Sequence, residues 1–251
     1  MKALVIQGSP HGKSGCTQKM LEPFLSGMKK AGADVDVIYL ADKKIHHCIG
    51  CLQCWFKTPG CCVFQDDMAD CLEQFAQADL IIFATPLYVF SMTGLMKNFL
   101  DRSVPLCDPF LIPHPIIPHC TTHPSRSGKK QKMFLISPCG FPEFHHFDSL
   151  IATFKQMAQM EGAEYLGEIL RPSAEILKIQ NTLLQWTLKG YFQQLEKAGQ
   201  ELIERGSISE KTQEALRKDL IPGGAETIRQ RANEFFKKQL ASLKTEENGN
   251  E

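Results

Sequence analysis

The chain has 251 residues, 43% of them hydrophobic, and its 28 Lys+Arg are balanced by 28 Asp+Glu for a formal net charge of zero. That length suits one domain with an appendage, and the charge balance argues against broad nucleic-acid or anionic-membrane binding. No apolar run approaches membrane-spanning length. The apolar start is too short for a secretory signal, so ten cysteines predict a reducing, cytoplasmic setting where close thiol spacing serves metal or redox chemistry.

Lys2 to Gln7, KALVIQ, reads as a first strand, followed by a tight polar loop from Gly8 to Thr17. Met20, Leu21, Phe24, Leu25 and Met28 recur at helical spacing, which predicts a helix over 18–31. Asp34 to Leu40 alternates like a strand, and residues 43–65 are irregular and cysteine-rich. Asp66 or Asp67 is expected to cap a helix through Ala76. Leu80 to Ala84 is all apolar, as in a parallel strand buried on both faces. A helix is expected over 94–101, and residues 103–130 form a long linker rich in Pro, His and Ser. Lys132 to Ser137 is a fourth strand, 148–161 a helix and 163–170 a fifth strand. The repeating strand–helix order implies an α/β doubly wound five-stranded parallel sheet, order 2-1-3-4-5, with ligand at the carboxyl ends of strands one and three. From Ser173 the chain is polar and helical, punctuated by Gly206 and Pro222-Gly223-Gly224, and reads as a packing or oligomer-forming extension. Residues from about Thr245 read as a disordered tail.

Three loops carry the chemistry. The one after the first strand suits an anion, because a helix N-terminus offers unpaired N–H groups and a favourable dipole, and Ser9, Ser14 and Thr17 add hydroxyl donors. Its G-x-x-x-G-K-S reading is one residue short of a nucleotide-triphosphate loop. Strand three delivers Pro86, Leu87, Tyr88, Val89 and Phe90, whose two aromatic rings read alone as core packing and, beside the other two loops, as flanking a flat ring. Strand four delivers Ser137, Cys139, Gly140 and Phe141, where Gly140 permits close backbone approach.

Cys48, Cys51 and Cys54 recur at intervals of three, with Cys61 and Cys62 following. Four thiolates in such a run suit an iron–sulfur cluster or tetrahedral zinc; free thiols are the third reading. Cys16, Cys71 and Cys139 read as small buried residues, with Cys139 facing the flat-ring site as the exception to watch. His114, His119 and His123 with Cys120 read as a solvated loop rather than a metal site.

Gly8-Ser9-Pro10 with Gly15-Cys16-Thr17 resembles the phosphate loop of flavodoxin-like NADPH-dependent FMN reductases, Cys16 standing where Asn is usual. Thr85-Pro86-Leu87-Tyr88 and Lys97-Asn98-Phe99-Leu100-Asp101-Arg102 resemble two further family segments. Gly50 through Met68 is similar to the family's cysteine-bearing stretch, and Cys48 completes the pattern of its iron–sulfur flavoprotein branch. The resemblance implies a flavodoxin-like FMN-binding domain over 1–172, with a cysteine-rich insertion at 43–66 and a long loop at 103–130, then a helical extension over 173–251. It implies FMN held by Ser9, Pro10, His11, Ser14, Gly15, Cys16, Thr17, Pro86, Leu87, Tyr88, Val89, Phe90, Ser137, Cys139, Gly140 and Phe141. It implies a [4Fe-4S] cluster on Cys48, Cys51, Cys54 and Cys62, the alignment selecting Cys62 over Cys61. NAD(P)H is the implied reductant, met transiently since no dinucleotide fingerprint is visible. A small molecule or redox protein is the implied electron acceptor, and a homodimer or homotetramer the implied assembly. Hydride chemistry belongs to the cofactor, so no acid–base residue is nominated. Two alternatives remain: an electron carrier that never meets a nicotinamide, and a zinc-bound interaction module on this fold.

Overall fold

Apolar runs with no polar face form the middle of the sheet because neither side of it meets water. In a computed structural model, which describes residues 1–179 and 182–248, these runs are β1 (Lys2–Gln7), β3 (Leu80–Ala84) and β4 (Lys132–Pro138). The alternating β2 (Asp34–Tyr39) and the half-buried β5 (Glu164–Arg171) lie at the two edges. The order is β2-β1-β3-β4-β5 and every pairing is parallel. This is the flavodoxin-like doubly wound arrangement that the strand–helix alternation implied.

Side chains along each central strand point alternately to two cores. Ala3, Val5, Leu80, Ile82, Phe134 and Ile136 face α1 (Cys16–Lys30) and α5 (Thr182–Arg205). Leu4, Ile6, Ile81, Phe83, Met133 and Leu135 face α2 (Met68–Gln77), α3 (Gly94–Asp101) and α4 (Asp148–Met160). The extension continues as α6 (Glu210–Arg217) and α7 (Gly224–Asn248). Helix α5 lies against α1 so tightly that a Cβ on Gly27 would sit 1.8 Å from the Glu196 carbonyl oxygen, and one on Gly199 2.0 Å from that of Phe24.

The structure differs locally from expectation in four places. Helix α1 starts at Cys16 rather than residue 18, since Gly15 takes extended backbone and Thr17 is already buried in the first turn. The linker at 103–130 contains a short antiparallel pair, Ile112–Pro113 with Thr121–Thr122. His114 in that linker is buried rather than solvated: its Nε2 bonds the Gln159 carbonyl at 2.9 Å, and its Nδ1 meets the Ile116 and Ile117 N–H groups at 3.1 and 2.9 Å. Residues 245–248 close helix α7, while the rest of the expected tail, 249–251, lies outside the described residues. Among the described residues no helix is long and apolar enough to cross a membrane.

Candidate functional site

The loop after β1 is shaped by a glutamine inside the strand. Gln7 is fully buried; its Nε2 donates to the Gly12 carbonyl at 2.7 Å and its Oε1 accepts from the Ser9 N–H at 3.0 Å. Ser9 Oγ accepts from the His11 N–H at 3.3 Å, and Ser14 Oγ donates to the His11 carbonyl at 2.9 Å. A side chain at Gly15 would press on Ser9 Oγ at 3.0 Å and His11 at 3.1 Å. The loop is also fastened to the next one: Thr93 Oγ1 donates to the Gly8 carbonyl at 2.6 Å and accepts from the Met96 N–H at 3.2 Å, which caps α3.

Ser9, His11, Cys16, Thr17, Pro86, Leu87, Tyr88, Cys139 and Gly140 line one cavity of about 100 Å³ at the carboxyl ends of β1, β3 and β4. Pro10, Ser14, Gly15, Val89, Phe90, Ser137 and Phe141, also expected there, do not line it. Ser14 and Gly15 shape the loop instead. Ser137 is fully buried within β4 with its Oγ unpartnered. Thr17 Oγ1 is likewise buried without a hydrogen-bond partner, and it does face the cavity. A buried hydroxyl without a partner is costly, so its orphaned state is the mark of a place where a polar ligand group fits.

Val89 and Phe90 form the tip of a two-residue hairpin, with Tyr88 and Ser91 exchanging backbone hydrogen bonds of 2.8 and 3.0 Å. Both tip residues have positive φ, 47° and 62°. Such turns favour Asn and Gly, and a β-branched residue there is strained by roughly 1–3 kcal/mol. Val89 is 91% exposed and points into solvent, while the Phe90 ring stacks on Phe141 at 6.3 Å, and Phe141 on His146 at 4.3 Å. None of these three rings lines the cavity.

Burial pushes the Cys139 thiol up, although the Phe141 N–H on its sulfur at 3.3 Å opposes this. Burial and then the Glu175 carboxylate push Cys16 up to about 11. Both are therefore neutral thiols at neutral pH.

A second cavity, about 80 Å³, lies in the cysteine-rich segment. Cys48, Cys51, Cys54 and Cys62 all line it, with Ile49, Leu52, Val63, Phe64, Val104 and Pro105 supplying apolar wall; Cys61 does not. Left-handed backbone at Gly50 (φ 64°) and Leu52 (φ 53°) turns the chain between the first three thiols. Burial raises the Cys54 thiol, and Cys62, Cys51 and Cys48 each oppose its ionisation. A bound cation would reverse that sign. Among the described residues, no three His, Cys, Asp or Glu are gathered closely enough to hold a metal ion as they stand.

This segment is clamped by an ion pair that its sequence does not announce. Arg102, at the end of α3, donates to both Asp66 oxygens at 2.8 and 3.0 Å and to the His46 carbonyl at 2.6 Å, and its guanidinium lies 5.2 Å from the Phe64 ring. Asp66 also accepts the His46 N–H at 2.9 Å and the Met68 N–H at 3.1 Å. Helix α3 thus runs from Thr93, fastened to the loop after β1, to Asp101 and Arg102, which line the second cavity. Among the polar residues that shape or line the first cavity, Gln7, Thr93, Glu175 and Lys178 fell outside the expected set. Gln7 was visible as the lone polar residue in an apolar strand, whereas Thr93, Glu175 and Lys178 carry no local signal.

The sheet order and the cavity at the carboxyl ends of β1, β3 and β4 define a flavodoxin-like fold. Residues 1–111 match the family model described as NADPH-dependent FMN reductase. The chain is 39% identical over 105 residues to an iron-sulfur flavoprotein of Archaeoglobus fulgidus, covering 42% of this chain and 46% of that one. With an iron-sulfur flavoprotein of Clostridioides difficile it shares 34% identity over 136 residues, covering 53% and 59%. The chain thus spans about half the length of the curated relatives it matches. Among solved structures, an FMN-dependent NADH-azoreductase from Bacillus anthracis in complex with FMN superposes with a TM-score of 0.57 at 17% identity, over 80% of this chain and 99% of that one.

Proposed function

We propose that the protein is an FMN-dependent NAD(P)H oxidoreductase that carries a [4Fe-4S] cluster on Cys48, Cys51, Cys54 and Cys62. The observation that carries the reading is the second cavity: four thiols from one short segment face a single apolar space, one helix away from a flavin-type cradle. Four thiolates suit zinc as well as a cluster, and iron and zinc contents separate the two. The names of the relatives point to the cluster. FMN would supply the hydride and single-electron chemistry. The chain's part is to hold it: Thr17 and Ser9 offer hydroxyls to its phosphate, Gly15 keeps the loop open, and Pro86 to Tyr88 with Cys139 and Gly140 flank the ring. The neutral Cys139 thiol adds no charge beside it.

The test is an anaerobic absorption spectrum with iron and acid-labile sulfide measured on the same sample. Flavin bands on a broad background with about four irons per chain are expected, and addition of NADH or NADPH is expected to bleach the flavin. Flavin that stays oxidised would mark an electron carrier, and a colourless protein with one zinc per chain would refute both cofactors. Serine at Cys48, Cys51, Cys54 or Cys62 is expected to abolish iron binding, whereas Cys61→Ser retains it. Iron lost on Cys61→Ser and kept on Cys62→Ser would overturn the ligand set.

A further inference from the structure

We infer that Lys178, from the extension, is the cation that pairs with the cofactor's phosphate, and that Glu175 holds it poised over the phosphate loop until the cofactor arrives. The inference rests on the FMN reading above.

A phosphate monoester near neutral pH carries between one and two negative charges and is best met by a cation as well as by N–H groups and hydroxyls. The phosphate loop has a lysine of its own, Lys13, but it is turned away: its Nζ lies 5.1 Å from the centre of the Tyr39 ring, and it does not line the cavity. The lysine that does line it is Lys178, alongside Ser9, His11, Cys16 and Thr17. It arrives on the 3-10 turn Ala174–Lys178, which follows β5 and rests on α1. Ala174, Ile176 and Leu177 are buried in that turn and fix it, leaving Glu175 and Lys178 on its open side.

Glu175 explains why the lysine stays there. Lys178 Nζ meets Glu175 Oε2 at 3.0 Å, and Cys16 Sγ lies 3.6 Å from Glu175 Oε1 at the start of α1. A carboxylate in a site for a dianion would repel it if it stood alone. Here its charge is matched by Lys178 and its second oxygen by a thiol. The Glu175 side chain is 73% exposed, so the pair is a weak, solvent-screened one that a phosphate can open. Lys178 then exchanges one carboxylate for a more highly charged group, and Glu175 swings into water. Cys16, in the place where the family usually has Asn, is the residue that accommodates this carboxylate.

The prediction concerns discrimination between FMN and riboflavin, which differ only in the phosphate. Titration of flavin-free full-length chain, followed by quenching of flavin fluorescence, reads both affinities. Lys178→Gln is expected to weaken FMN about tenfold or more and to leave riboflavin unchanged; Lys178→Arg is expected to restore most of the FMN affinity. Glu175→Gln is expected to tighten FMN several-fold, since the lysine no longer has a competing partner. FMN affinity unchanged in Lys178→Gln would overturn the inference while leaving the FMN reading intact. Equal loss for FMN and riboflavin would assign Lys178 a structural role and overturn it too. A wild-type chain that binds neither flavin would refute the reading and the inference together.

Discussion

Replacing Arg102 with alanine is expected to cost about 3–5 kcal/mol of unfolding free energy, the range for breaking a buried ion pair from one side. Both side chains are almost fully buried, 1% and 3% exposed. The substitution leaves the Asp66 carboxylate with only backbone donors, leaves the His46 carbonyl without its donor, and removes the cation from the Phe64 ring. Urea unfolding at neutral pH measures the loss, and under the proposed function iron content measures its reach, because these partners anchor both ends of the cysteine-rich segment. The effect also has a pH signature. Burial alone would raise Asp66, but hydrogen bonds from Arg102 and from the His46 and Met68 N–H groups outweigh it and hold the carboxyl below the usual range. A depressed carboxyl stabilises the fold above its ordinary pKa, and that contribution disappears as pH falls through the native value. Without Arg102 burial dominates and the native pKa rises, so the charged carboxylate opposes folding at neutral pH and protonation relieves it. The gap between wild type and Arg102→Ala is therefore expected to be widest at neutral pH and to narrow in acid. A gap constant with pH would mean that Asp66 is not the group left unpaired.

The second large effect is expected where α1 meets α5. Gly27→Ala or Gly199→Ala is expected to cost about 3 kcal/mol or more, at or above the upper end for overpacking a core. The added methyl would overlap backbone oxygen and carbon of the facing helix, at 1.8 and 2.7 Å for Gly27 and 2.0 and 2.9 Å for Gly199. No rotamer relieves a clash between a Cβ and a main chain, so the helices must separate. Separation uncovers Phe24, Leu195, Ala198 and Leu202, all buried in that contact. Gly190, on the same helix, supplies the control. A Cβ there meets nothing within 4 Å, so Gly190→Ala is expected to stabilise by roughly 0.5–1 kcal/mol through helix propensity alone. Thermal unfolding of the three variants checks the contrast. If all three behave alike, the close approach of the helices is not what holds the extension in place.

Much of this architecture was legible because it depends on local pattern. Runs such as LIIFA have one reading in a doubly wound sheet, and Gly94–Asp101 matched its expected bounds because Thr93 caps it on the spot. Cys62 over Cys61 could be read only through the family resemblance, since adjacent residues point to different sides of the chain and their spacing to Cys54 differs by one. The unread features all need partners distant in sequence. Asp66 looks like a helix cap and does accept the Met68 N–H, but its main partner is Arg102, 36 residues on. Lys178 looks like any lysine on a polar helix; only the seating of its turn on α1 brings it to the phosphate loop. Val89 sits among residues expected to contact the ring, and its left-handed turn leaves it 91% exposed.

Helix α3 is about 12 Å of regular helix, tied by Thr93 to the Gly8 carbonyl at one end and by Arg102 to the cysteine-rich segment at the other. A rod fastened in this way cannot be lengthened or bent without breaking one of its fastenings, so the gap between the two cavities is set by a count of residues and not by the mobility of loops. Under the proposed function, an electron passing between the two sites would cross a span held by this helix. A chain with one residue inserted in this helix would keep both cavities and still turn Arg102 about a hundred degrees out of register, leaving each site intact in composition and out of step with the other.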